Sequence, residues 1–190
     1  NYKQSISEKT YLSTTLAYSY EEQKSKHNYL LRHLDTLDKG TENENYRIVV
    51  DSIFQMMGYK YQHHKVSHHL AITHKFNTRH LIKAGLNTDL YYVVQRDSAL
   101  PLVTDSIFEK RWDYEGAYVL IQPFVQWKWR ATENMDVTAG LHAQYFSLSN
   151  SFSGIEPRLG WRLKIKNNQS VFAGAGMHSQ TQPLYTYTYH

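Results

Sequence analysis

Ile155-Glu156-Pro157-Arg158-Leu159-Gly160-Trp161-Arg162-Leu163-Lys164-Ile165-Lys166 alternates with a period of two. Leu159, Trp161, Leu163 and Ile165 fall on one side, and Glu156, Arg158, Arg162, Lys164 and Lys166 on the other. A helix, turning once in about 3.6 residues, would mix the two sets, whereas a strand sends successive side chains to opposite faces. The segment therefore reads as a strand with one apolar wall and one charged wall.

The rest of the chain agrees with a β protein. It carries 16 Tyr and 4 Trp, residue types that favour pleated surfaces. With 41% hydrophobic residues and a mean hydropathy of -0.61 it is too polar for membrane helices. That leaves membrane strands open, because a spanning strand needs only about 10 residues with every second one apolar. The absence of Cys excludes a disulfide framework and a Cys-based zinc site. The first residues, Asn1 to Ser5, show no signal peptide. The formal charge of +4 comes from 21 basic residues dispersed among 17 acidic ones, so nucleic acid is not an expected partner.

Outward from the opening segment, the same period predicts about seven strands. The first spans about 11–22, with Leu12, Leu16, Tyr18 and Tyr20 on one face. The second spans about 59–76, with Val66, Leu70, Ile72 and Phe76 opposing Lys65, Ser67, Thr73 and Lys75. The third, about 80–96, is the longest clean alternation. The fourth covers about 117–130, the fifth about 136–148, and a seventh begins near Val171. Pro123 falls within the fourth, and because proline removes a ladder donor a bulge is expected there.

The connections sort by length. Short turns are expected at about 77–79, 131–135 and 167–169, long loops at about 24–58 and 97–115, and a shorter loop at about 149–154. Short turns at one end and long loops at the other are the asymmetry of an up-and-down outer-membrane barrel, with turns in the periplasm and loops outside the cell. Trp127 and Trp129 lie just before a short turn, where an aromatic girdle belongs. The expected fold is thus all-β, an antiparallel transmembrane β-barrel segment.

Cost assigns the faces. A Lys or Arg turned toward lipid costs about 2–4 kcal/mol at mid-depth, so the charged face looks into the lumen. The expected lumen-facing set is Lys83, Asn87, Asp89, Gln122, Gln126, Lys128, His142, Gln144, Glu156, Arg158, Arg162, Lys164 and His178, available to a substrate or plug. The expected lipid-facing set is Ile82, Leu86, Leu90, Tyr92, Val119, Ile121, Val125, Trp127, Trp129, Leu141, Leu159, Trp161, Leu163 and Ile165. Glu156 and Arg158, two residues apart on one face, are close enough to pair laterally, either tying strands together or meeting a plug.

Three runs carry a family resemblance: Tyr145-Phe146-Ser147-Leu148, Ser153-Gly154-Ile155-Glu156-Pro157-Arg158-Leu159-Gly160, and Gly174-Ala175-Gly176-Met177-His178-Ser179-Gln180-Thr181-Gln182-Pro183-Leu184. They resemble the barrel of TonB-dependent outer-membrane receptors, in particular the subgroup with an N-terminal carboxypeptidase-regulatory-like domain, related to the SusC-like transporters. The specific part covers about 145–184. The resemblance implies a bacterial outer-membrane location, a 22-stranded barrel and an N-terminal plug. It also implies solute import driven by a TonB-type energy-coupling protein, and a surface lipoprotein partner. About seven strands cannot close such a barrel, so the expectation is a section of its wall, in contact with lipid, the remaining strands and the plug, with no plug domain in this sequence.

Other chemistry is thinly supported. His63, His64, His68 and His69 cluster, yet a same-face pair such as His64 and His68 stands roughly 13 Å apart along a strand, too far to share one ion without further ligands. No metal site is expected. No nucleophile elbow, paired His-Glu-His metal helix or phosphate-binding loop appears, so neither catalysis nor a cofactor is expected. Tyr46 and Trp112 are aromatic loop candidates for stacking on a sugar ring. The competing class is a soluble β-sandwich or adhesin-like binding module, which would pack Leu86, Leu90, Trp161 and Leu163 against a second sheet.

Overall fold

The computed structural model describes residues 1–37, 39–42, 44–102, 106–166 and 169–188. Among them the fold is all-β. The strands are β1 (Tyr2–Ser7), β2 (Thr10–Leu37), β3 (Asn45–Lys75), β4 (His80–Ala99), β5 (Glu109–Arg130), β6 (Met135–His142), β7 (Tyr145–Phe146), β8 (Ser151–Phe152), β9 (Glu156–Lys164) and β10 (Ser170–Gly176). A single 3-10 turn, Leu184–Thr186, follows them. All the strands belong to one antiparallel sheet in the order β1-β2-β3-β4-β5-β6-β9-β10, with β7 pairing β5 and β8 pairing β7. The sheet is open, with β1 and β10 at the two ends of that path.

Chain contacts divide the molecule into two compact units. The first holds Asn1–Tyr20, His63–Tyr92 and Gly116–Tyr187; the second holds Glu21–Gln62 and Val93–Glu115, with Thr188.

Within the first unit the registers align the two kinds of face from strand to strand. On one side Trp127 pairs Ala139, Ala139 pairs Leu159, and Leu159 pairs Ala175. One residue along, Lys128 pairs Thr138, Asp136 pairs Arg162, and Arg162 pairs Phe172. An in-register ladder keeps side chains of one parity together, so the alternation within each strand becomes two continuous surfaces, one apolar and one polar. Gly85 on β4 is needed for close approach. A Cβ there would stand 2.5 Å from the Leu70 carbonyl oxygen and 2.7 Å from the Phe124 ring, which lies across the glycine. An aromatic covering a strand glycine on a curved sheet fills the space the missing side chain leaves.

Several sequence expectations need correction. The loop expected over 24–58 is mostly ladder, since β2 continues to Leu37 and β3 begins at Asn45. The loop expected over 97–115 shrinks in the same way, because β4 runs to Ala99 and β5 starts at Glu109. The stretch 149–154 contains β8, and β1 was not expected at all. Met135 belongs to β6 and not to the preceding turn, and Ile165 lies past the end of β9. In the turn expected at 167–169, Asn167 and Asn168 lie outside the described residues; on either side of them the Ile165 amide donates to the Gln169 carbonyl at 2.8 Å.

Against β6 and β7, Pro123 makes no bulge. Leu120 pairs Phe146 on one side of it and Phe124 pairs His142 on the other, so no residue is inserted between the two registers. The Ala143 amide donates to the Pro123 carbonyl at 3.1 Å, but proline cannot return the second bond of that pair. The missing donor falls where the strand expected at about 136–148 is interrupted into β6 and β7.

Candidate functional site

The polar surface of the first unit is built by β3, β4, β5, β6, β9 and the segment after β10, and its centre is Glu156. This carboxylate is 1% exposed, among the most buried side chains of the chain. The β6–β9 register sets it opposite His142, whose Nδ1 lies 2.9 Å from Glu156 Oε2. Arg158, on the same strand and face, donates to Oε2 at 3.1 Å, and the Ser179 amide donates to Oε1 at 3.2 Å. His178 stands 3.0 Å from the Arg158 guanidinium. A buried carboxylate is tolerable only when donors replace its water, and here they come from β6, from β9 and from the chain beyond β10. The pairing anticipated between Glu156 and Arg158 is therefore one edge of a cluster that ties three segments together.

A second polar group lies across β3, β4 and β5. His69 Nδ1 is 2.6 Å from Asn87 Oδ1, the His69 ring stacks on Phe124 at 6.0 Å, and Lys83 Nζ sits 5.6 Å from the same ring. Beside it Lys65 pairs with Asp89 at 3.0 Å. A cleft of about 540 Å³ opens on this surface, with His69, Asn87, Gln126, His142 and Arg158 among its lining. Gln122 donates to Gln144 at 3.3 Å, and the Arg162 guanidinium lies 5.5 Å from the Phe172 ring. Among the described residues, the buried side-chain polar atoms with no protein partner include His63 Nε2, Thr73 Oγ1 and Arg162 Nε. Such atoms need water or a ligand to complete them.

Of the residues expected to face a lumen, the structure thus brings His142, Glu156, Arg158 and His178 into one cluster. Asn87 and Lys83 gather around Phe124, and Asp89 goes to Lys65. Gln126, Lys128 and Lys164 share the parity of this surface through their registers. Sequence reasoning missed Phe124 and Phe172, apolar side chains on the polar surface. The available signal was their place in the alternation, since each occupies a polar parity position.

The opposite surface of the first unit carries the residues expected to face lipid. Leu86 is 37% exposed, Leu90 51% and Leu159 56%. Val119, Ile121, Trp129, Trp161 and Leu163 are half-buried, and Ile165 is exposed. Aromatic rings gather at two levels of this surface. His80, Trp127 and Trp129 stack, with Trp127 and Trp129 centroids 5.9 Å apart and the Trp127 indole donating to His80 Nδ1 at 3.2 Å. Elsewhere Tyr20 packs on His64 at 4.6 Å, Tyr18 bonds His64 Nδ1 at 2.8 Å, and Tyr92 lies 6.0 Å from the same imidazole. The four clustered histidines are accordingly split by strand parity, His64 and His68 on the aromatic side and His63 and His69 on the polar side. His68 Nε2 is 2.9 Å from the Thr14 hydroxyl.

The second unit has a polar centre of its own at Asp97, whose side chain is 3% exposed. Arg111 grips it through two nitrogens, Nε at 2.8 Å and Nη2 at 2.6 Å, and the Tyr61 hydroxyl donates to it at 2.8 Å. Burial, and then the bond to Asp97, push the Tyr61 phenol up to about 12. None of Asp97, Arg111 and Tyr61 stood out in the sequence, because each lies where the apolar alternation lapses. No protein-family model and no curated protein sequence matches the chain.

Proposed function

We propose that the chain is a section of the wall of an outer-membrane β-barrel of the TonB-dependent receptor kind, which imports a solute with energy from a TonB-type partner. The observation that carries this reading is the inverted polarity of the first unit. Its fully buried side chains include Glu156 and Thr73, while Leu86, Leu90, Leu141 and Leu159 are exposed, the last two on a face whose register is aligned across β5, β6 and β9. In water such a face would be an association hazard; in a bilayer it is the stable arrangement.

Dimensions support the same reading. His80 and Tyr92 belong to the two aromatic levels on β4. Twelve residues at about 3.3 Å each, on a strand tilted by about 40°, rise about 30 Å, comparable with the apolar band of about 25 Å and its flanking girdles in an outer-membrane barrel. The Glu156 cluster and the His69–Asn87 group would then line the lumen, where a solute or a plug meets them. The open ends at β1 and β10 would pair with further strands of the wall. The sandwich alternative draws no support from the topology, because every described strand belongs to one sheet and Leu86 and Leu90 pack against no second one.

The test is quenching of tryptophan fluorescence by lipids brominated along their acyl chains, after reconstitution into bilayers. Trp127, Trp129 and Trp161 are expected to be quenched, and a water-soluble quencher is expected to reach them poorly. A monodisperse preparation in detergent-free buffer, with those tryptophans open to the aqueous quencher, would overturn the proposal.

A further inference from the structure

The second unit holds a cleft of about 610 Å³ whose charge is unbalanced. Five cationic side chains line it, Lys24, Lys26, Lys60, Arg96 and Lys110, against two carboxylates, Asp97 and Asp113. Both carboxylates are already taken. Asp97 is held by Arg111 at 2.6 Å, and Asp113 by Lys110 at 2.6 Å, while Arg96 reaches Glu115 at 2.7 Å. Lys24, Lys26 and Lys60 are left with no ion-pair partner among the described residues, and Lys60 is half-buried.

Three lysines lining one concavity repel one another and attract anions, more strongly where the walls limit water. Lysine meets phosphate as a point charge, so several lysines match a ligand bearing more than one phosphate group better than a single carboxylate. Trp112 and Tyr59 are also among the lining residues, and the volume suits a small molecule or a headgroup.

We propose that this cleft binds a ligand carrying at least two phosphate groups, with Lys24, Lys26 and Lys60 contacting the phosphates and Trp112 meeting its organic body. A diphosphorylated glycolipid headgroup and a free diphosphate carry the same chemistry, and the two are separated by the probe. The charge argument holds whether or not the first unit meets lipid, so this proposal and the barrel reading fail separately.

The experiment is calorimetric titration of the full chain in neutral detergent. The probes are inorganic pyrophosphate, a diphosphorylated glycolipid in mixed micelles, and the same glycolipid without its phosphates. At least one diphosphate probe is expected to bind, and the dephosphorylated glycolipid to bind at least about tenfold more weakly, with affinity falling as salt is raised. The combined substitution K24Q/K26Q/K60Q is expected to weaken binding by about tenfold or more, while K60R alone preserves it. Glycolipid binding well above that of pyrophosphate identifies a membrane headgroup as the source, and equal binding identifies a free diphosphate. Absence of binding by both diphosphate probes, or equal affinity in the triple variant and the parent, would overturn the proposal.

Discussion

Tyr61 concentrates the electrostatics of the second unit in one phenol. Its hydroxyl donates to a carboxylate already gripped by Arg111, so ionisation would set a second negative charge against Asp97 in a water-poor setting. The folded pKa is thereby raised from 10.0 to about 12. The sign follows from linkage: Tyr61 contributes stability that is fully present below pH 10 and is lost as pH rises through about 12. Comparing ultraviolet tyrosinate titrations of the parent and Tyr61→Phe should isolate one late transition near pH 12. Asp97→Asn should bring that transition partway down, because burial, the larger cause, remains. A Tyr61 transition at the ordinary tyrosine value would remove the buried pairing from the account. Residues of this kind were illegible in the sequence, since nothing in the spacing of 61, 97 and 111 announces that they meet. Glu156, Arg158, His142 and His178 were each singled out by parity; their meeting depends on the pairing of His142 with Glu156, which hydropathy does not encode.

At the scale of elements, legibility tracked whether a strand has one apolar face. Strands β4 and β9 could be recognised because oil and charge alternate along them. The stretches 24–37 and 45–58 could not, because they are held by ladder bonds and by cross-strand pairs between polar side chains, such as Arg47 with Asp35 at 2.7 Å and His33 with Asp51 at 2.7 Å. Strand β1 is exposed along its whole length and offers no pattern either. Pro123 tests the ladder argument directly. If its missing amide is what interrupts the partner strand, Pro123→Val should supply a donor to the Ala143 carbonyl and close the gap between β6 and β7. Hydrogen exchange read by mass spectrometry should then show slow exchange at position 123 and added protection over residues 143–145. Exchange that stays fast at position 123 would mean that the interruption has another origin. Because replacing proline also loosens the unfolded chain, exchange protection decides the matter where global stability would not.

The first unit buries Thr73, Gln144 and Glu156 alongside Ala71, Tyr118 and Phe146 while an apolar face stands exposed, and the sign of one mutational series follows from its solvent. Along β4, Ile82, Ala84, Leu86, Leu90 and Tyr92 share the apolar parity, running from beside the His80–Trp127 stack to the Tyr92–His64 contact. If the surface faces water, Arg at the exposed Leu86 or Leu90 is an ordinary surface change, within about 0.5 kcal/mol of neutral. If it faces lipid, the same Arg costs about 2–4 kcal/mol at mid-depth and about 0–1 kcal/mol near either interface. The two solvents thus predict different profiles and not merely different sizes. Arg substitutions at the five positions, with unfolding by urea measured in lipid vesicles, should give a cost that peaks at Leu86 and declines toward Ile82 and Tyr92. The peaked profile is specific, because loss of packing alone would follow burial, and Leu86, at 37% exposure, is not a buried residue. A flat profile near zero would mean that water covers this face, and the polar surface behind it would then have to be understood as something other than the lining of a pore.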